Sequence, residues 1–115
     1  MQDLVKIMKA LSDPTRIRIV KMLQHKSLCV CEMQAALEHS QPNVSKHLKI
    51  LQQAGLVEAE KDGLWVNYTI SPEARRSSYA KKLLGNMEGW LEEDPEMKAI
   101  LDKIRLVDRL TLCQS

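Results

Sequence analysis

The chain has 115 residues, 44% of them hydrophobic, and a formal net charge of +2, which suits a single domain (1–115) with a modest core. No apolar run approaches the roughly 20 residues that a membrane-spanning helix needs, and the N-terminal "MQDLVKIMKALSD" carries spaced lysines and no small-residue cleavage site, unlike a signal peptide. Three cysteines without a secretory signal point to a reducing, cytoplasmic setting, where thiols bind metals or react instead of stapling the fold.

In chain order, "DLVKIMKAL" puts Leu4, Ile7, Met8 and Leu11 on one face of a short amphipathic helix. "SDPTRIRIVKMLQ" predicts a second helix, capped by Ser12 or Asp13 with Pro14 in its first turn, that buries Ile17, Ile19 or Val20, and Leu23. A third short helix runs from about Cys31 to Glu38 with Met33, Ala36 and Leu37 inward, and "HSQPN" breaks it. The fourth starts near Pro42, capped by Ser40 or Gln41, buries Val44, Leu48 and Leu51, and stops at Gly55.

The hydrophobic period then changes from helical to alternating. "LVEAEK" and "LWVNYTI" read as strands joined at Asp62-Gly63, a hairpin turn signal. Ser71-Pro72 opens a further helix that should bury Tyr79, Leu83, Met87, Trp90 and Leu91, and after Pro95 a last helix carries Met97, Ile100, Leu101, Ile104 and Val107. The predicted order is α-α-α-α-β-β-α-α, a mainly α (α+β) chain. Two short helices joined by a tight turn and followed by a hairpin form a winged helix-turn-helix. The stripe of Leu83, Met87, Trp90, Leu91, Ile100, Leu101 and Ile104 exceeds what so small a core can cover. With the N-terminal helix it is expected to form a two-fold homodimer interface.

The near-neutral net charge hides an asymmetry. Residues 1–55 hold 8 Lys/Arg against 4 Asp/Glu, and residues 56–115 hold 9 against 11. Between Ser40 and Ala54 stand Lys46, His47 and Lys49 with no acid, which suits a phosphate backbone. Burial of Val44, Leu48 and Leu51 would leave Gln41, Asn43, Ser45, Lys46 and Lys49 outward. Asn and Gln can pair with adenine, Ser with several base edges, and Lys with guanine or phosphate. An ordinary polar helix face would hold the same residue types, but the hairpin that follows favours a reading head for double-stranded DNA. In the wing, Lys61 is positioned to reach the neighbouring groove or its phosphates. His47 reads as a histidine packed at the core's edge before it reads as a phosphate contact, and Arg16 and Arg18 are weaker candidates for the DNA backbone.

The pieces "LSDPTRIRIVKML", "LCVCEM", "SQPNVSKHLKILQQAGLV" and "DGLWVNYTI", in this order, resemble the ArsR/SmtB family of bacterial metal-responsive repressors over about residues 4–72. The resemblance implies a homodimer that binds an operator and releases it when an inducer binds. It also implies a branch: "CVC" at the third helix marks the As(III)/Sb(III) sensors and a Cd(II)/Pb(II) group. A third cysteine often follows three residues later, and here that position holds Gln34.

Thiol chemistry fits the same branch. Soft ions select thiolates, and As(III) takes three. Cys29, Cys31 and Cys113 are therefore the expected ligands, with Cys113 supplying what Gln34 cannot. A helix N-terminus would lower the thiol pKa values. On a regular helix residues i and i+2 point about 200° apart, so joint binding would require that turn to unwind and disturb the reading helix. The alternatives are two small buried cysteines and a tail cysteine without a role, a Cd(II)/Pb(II) or thiol-redox signal on the same fold, and a winged-helix module that never touches DNA. Nucleophile elbow, phosphate loop, Cys-x-x-Cys and paired carboxylates beside a histidine are all missing from the sequence, so no enzyme is expected.

Overall fold

Caps at residues 13 and 40 set the start of the two helices that matter most for DNA reading. In the computed structural model, which describes residues 1–106, α1 (Gln2–Ala10) leads to α2 (Pro14–His25). The Asp13 carboxylate accepts the Arg16 N–H at 3.1 Å, and Pro14 fills a first-turn position whose N–H would go unused. After α3 (Val30–Leu37), Glu38 turns the chain at φ 60. Ser40 then caps α4 (Gln41–Gln53), its hydroxyl accepting the Asn43 N–H at 3.3 Å. Gly55 ends α4 at φ +78, a conformation that costs a side-chain-bearing residue energy.

The wing is β2 (Val57–Asp62) paired antiparallel with β3 (Trp65–Ile70), Val57 opposite Ile70 and Asp62 opposite Trp65. Its two-residue turn is Gly63-Leu64, one step beyond the expected Asp62-Gly63. Gly63 takes φ 63 at the first turn position, and Leu64 stands 99% exposed at the tip. A third strand was not foreseen. β1 (Leu28–Cys29) pairs with the other edge of β3, Leu28 opposite Tyr68 and Cys29 opposite Asn67. The segment expected to be a plain connector is thus tied to the wing.

The core is built from Ile19, Val20 and Met22 of α2, Leu28 of β1, Met33 of α3, Val44, Leu48 and Leu51 of α4, and Leu56 just before β2, all almost fully buried. The winged helix-turn-helix expected from the periodicity is the observed architecture.

The C-terminal half departs from the expected register. Ser71 caps α5 (Pro72–Arg76), and Ser77, at ψ 135, stops it and caps α6 (Ser78–Met87). That non-helical residue resets the helical phase. Ala80, Leu84 and Met87 turn inward, while Tyr79, Trp90 and Leu91 are exposed. Leu91 adopts φ 63 beyond the helix. In α7 (Pro95–Leu106), Met97, Ile100 and Ile104 are buried within the chain itself, where α7 packs on α3 and α2. The expected dimer stripe therefore divides, with Met87, Ile100 and Ile104 serving the chain's own core. On α1 the inward positions are Ile7 and Ala10, and Val5 and Met8 are exposed.

Candidate nucleic-acid interface and thiol pair

The amphipathic spacing of α4 decides which side chains face out. Val44, His47, Leu48 and Leu51 are buried; Gln41, Lys46 and Lys49 are exposed, and Asn43 and Ser45 are half-buried. Two of the outward groups are already oriented. The Gln41 amide Nε2 donates to Ser45 Oγ at 2.8 Å, one helical turn on. Asn43 Nδ2 lies 2.7 Å from Nδ1 of His39 in the turn before α4. If Asn43 donates there, one amide hydrogen and Oδ1 remain for a base edge, enough for a bidentate contact with adenine. His39 thus fixes a proposed reading residue, and only the fold reveals it. Lys61 is exposed on β2.

The two arginines of α2 face other partners. Arg16 turns inward, its Nε donating to Ala10 O at 2.7 Å and its Nη1 lying 3.2 Å from His47 Nδ1. Arg18 pairs with Glu96 at 2.9 Å. His47, 7% exposed, is the packed histidine and not an exposed phosphate contact. Burial lowers its pKa; Asp13 opposes this, and the charges of Arg16, Lys46 and His39 add to the lowering.

The thiol pair sits where strand becomes helix. Cys29 is the N-cap of α3, in extended backbone, so it precedes the helix instead of sharing its first turn with Cys31. Its side chain is buried, and the Glu32 carboxylate accepts the Cys29 N–H at 2.9 Å. This overturns the expected low pKa. Burial pushes the Cys29 thiol up; the Glu32 N–H works against that, and the Glu32 carboxylate adds to the rise. Cys29 carries a free thiol, and Cys31 is half-buried in the first turn of α3. Cys113 lies outside the described residues. Among the described residues no three His, Cys, Asp or Glu side chains converge on a metal position, and no helix is long and apolar enough to cross a membrane.

A capped recognition helix with an acid-free polar face, followed by a two-stranded wing, defines a winged-helix DNA-binding protein. Residues 13–59 match the family model described as bacterial regulatory protein, arsR family. The arsenical resistance operon repressor of Escherichia coli is 38% identical over 98 residues, covering 84% of this chain and 80% of that protein. A cadmium resistance transcriptional regulatory protein CadC homolog of Staphylococcus aureus is 34% identical, covering 75% of this chain and 72% of its own. Among solved structures, a homodimeric winged helix-turn-helix DNA-binding domain from Mycobacterium bovis superposes with TM-score 0.65 at 25% identity, over 76% of each chain. The chain belongs to the arsR family of bacterial regulatory proteins. It is a DNA-binding transcriptional repressor and not an enzyme.

Proposed function

We propose that this repressor is a single cytoplasmic domain that acts as a homodimer and leaves its operator when As(III) or Sb(III) binds the reduced thiolates of Cys29 and Cys31, with Cys113 as third ligand. The observation that carries the reading is the position of Cys29: the N-cap of α3 and a residue of β1 at once. An ion that draws its sulfur out of the core competes with the Glu32 bond at the Cys29 N–H and with the pairing of β1 to the wing strand β3. The other end of α3 runs through Glu38 to His39, which touches Asn43 on the reading helix. Inducer and operator would then favour different arrangements of one short segment.

Operator contacts in this reading come from Gln41, Asn43, Ser45, Lys46 and Lys49, with Lys61 from the wing. The second copy would cover the apolar groove of Met8, Leu11, Ile17, Leu83, Trp90 and Leu91, too large a set of apolar side chains to leave to solvent without a partner.

The test is operator release in reducing buffer, followed by fluorescence anisotropy. Arsenite should release the wild type. Cys29→Ser and Cys31→Ser should bind the operator yet ignore arsenite, and Cys113→Ser should respond at higher arsenite concentration. Wild-type affinity and response in Cys29→Ser would refute the thiol sensor. Release by Cd(II) or Pb(II) but not arsenite would move the protein to the branch suggested by the Staphylococcus aureus relative's name. Release by peroxide alone would make it a redox switch.

A further inference from the structure

We infer that Arg16 and His47 are positioning residues, which hold the reading helix α4 at its operator-binding angle by fastening it to the C-terminal end of α1. The inference rests on the operator-reading role proposed for α4.

One guanidinium engages two helices. Arg16 Nε donates to Ala10 O at 2.7 Å and Nη2 to Lys9 O at 3.3 Å, two carbonyls at the end of α1. These carbonyls lie in the last turn, where helical acceptors lose their intrahelical donors. On its other side Nη1 lies 3.2 Å from His47 Nδ1, on the inner face of α4. His47 and Arg16 are 31 residues apart, and the ring is 7% exposed. No other part of α4 is tied by a side-chain hydrogen bond to α1 or α2 among the described residues.

The chemistry of the pair sets its protonation state. Arginine carries donors only, so Nδ1 must accept, and the ring must be neutral with its hydrogen on Nε2. Asp13 and Arg16 face the ring from α2, Lys46 from its own helix and His39 from the turn before it. A proton on Nδ1 would set donor against donor. The charged ring would then face the carboxylate of Asp13, the N-cap of α2, whose Oδ2 lies 3.8 Å from Nδ1. The link from α4 to α1 would be lost while the fold persists. Because α1 carries Met8 in the groove proposed for the second copy, the bond sets the two reading helices of a dimer relative to its two-fold axis.

The experiment measures operator affinity of the full chain by anisotropy from pH 7.5 to 5.5 and over a salt series, with thermal midpoints alongside. Wild-type affinity should fall as pH drops through the range of histidine protonation. His47→Asn, whose Oδ1 can take the Arg16 hydrogen bond and cannot be protonated, should bind like wild type at pH 7.5 and lose the pH step. His47→Leu and Arg16→Gln should bind about tenfold or more weakly at pH 7.5, the scale of a lost charge-assisted hydrogen bond, with the salt slope unchanged. A phosphate contact would lower that slope. Wild-type affinity in folded His47→Leu and Arg16→Gln, or a pH step that survives in His47→Asn, overturns this inference alone. No operator binding by the wild type at any pH overturns the operator-reading proposal and this inference with it.

Discussion

Asn43 and Lys49 lie on the same helix and should fail in different ways when replaced. Asn43 sits in the first turn of α4, half-buried, its amide oriented by His39 at 2.7 Å. Asn43→Ala removes both arms of a bidentate base contact, worth about 1–3 kcal/mol of discrimination, or about 5- to 150-fold in specific affinity. Folding should survive, because the backbone N–H of residue 43 keeps its Ser40 cap and His39 is half-exposed and can turn to water. Lys49 is exposed, two turns further on. Lys49→Ala should weaken cognate and random DNA alike and reduce the slope of log affinity against log salt by about 0.9, the share of one phosphate. The assay is a salt titration of each variant against cognate and scrambled duplexes. If Asn43→Ala loses cognate and scrambled binding equally, Asn43 touches phosphate and not base. If both variants match wild type, α4 does not read the operator.

Other consequences can be checked on the same protein. Lys21 is 1% exposed, and its Nζ donates to Met87 O at 2.7 Å with Glu92 at 3.5 Å. Lys21→Met keeps the buried stem and loses the charge-assisted bond, so stability should drop by about 1–2 kcal/mol and the thermal midpoint by about 4–8 °C; an unchanged midpoint would mean that desolvating the ammonium cancels the bond. Sedimentation should show a dimer at micromolar concentration, and Met8→Glu or Trp90→Glu should raise its dissociation constant at least about tenfold; a wild-type monomer would refute the covered groove. Acid should destabilise the fold in two windows. His47 has a pKa below its unfolded value of 6.5, so the unfolded chain takes up that proton first and stability falls as pH drops below 6.5. For Asp13, burial works upward, but the Arg16 N–H with the charges of His47 and Arg16 brings the pKa below 3.8, so its contribution is lost only below that pH. Denaturant midpoints from pH 8 to 3 should show both steps, and His47→Asn should lack the first.

Much of the architecture was legible because its causes are local. The Asp13 and Ser40 caps, the prolines after them, the glycine that ends α4 and the change from helical to alternating period all act within a few residues of one another. For the same reason the exposed lysines and the polar face of α4 could be assigned from spacing alone, and the position of Cys31 in the first turn of the third helix likewise. What tertiary structure decided lies between distant segments or depends on phase. Ser77 broke a helix that apolar spacing would have continued, and so moved Tyr79 outward and Ala80 and Leu84 inward, while the end of α6 at Met87 left Trp90 and Leu91 outside the helix and exposed. Pairing of Leu28 with Tyr68 made a strand of a connector, because a two-residue strand exists only where a partner satisfies its backbone. Burial beside Glu32 raised a thiol that its helix terminus alone would have lowered. Arg16 and Lys21 look like ordinary surface cations in sequence, yet each reaches a residue 31 or 66 positions away. Periodicity says which face of a helix is apolar, and only packing says what that face meets.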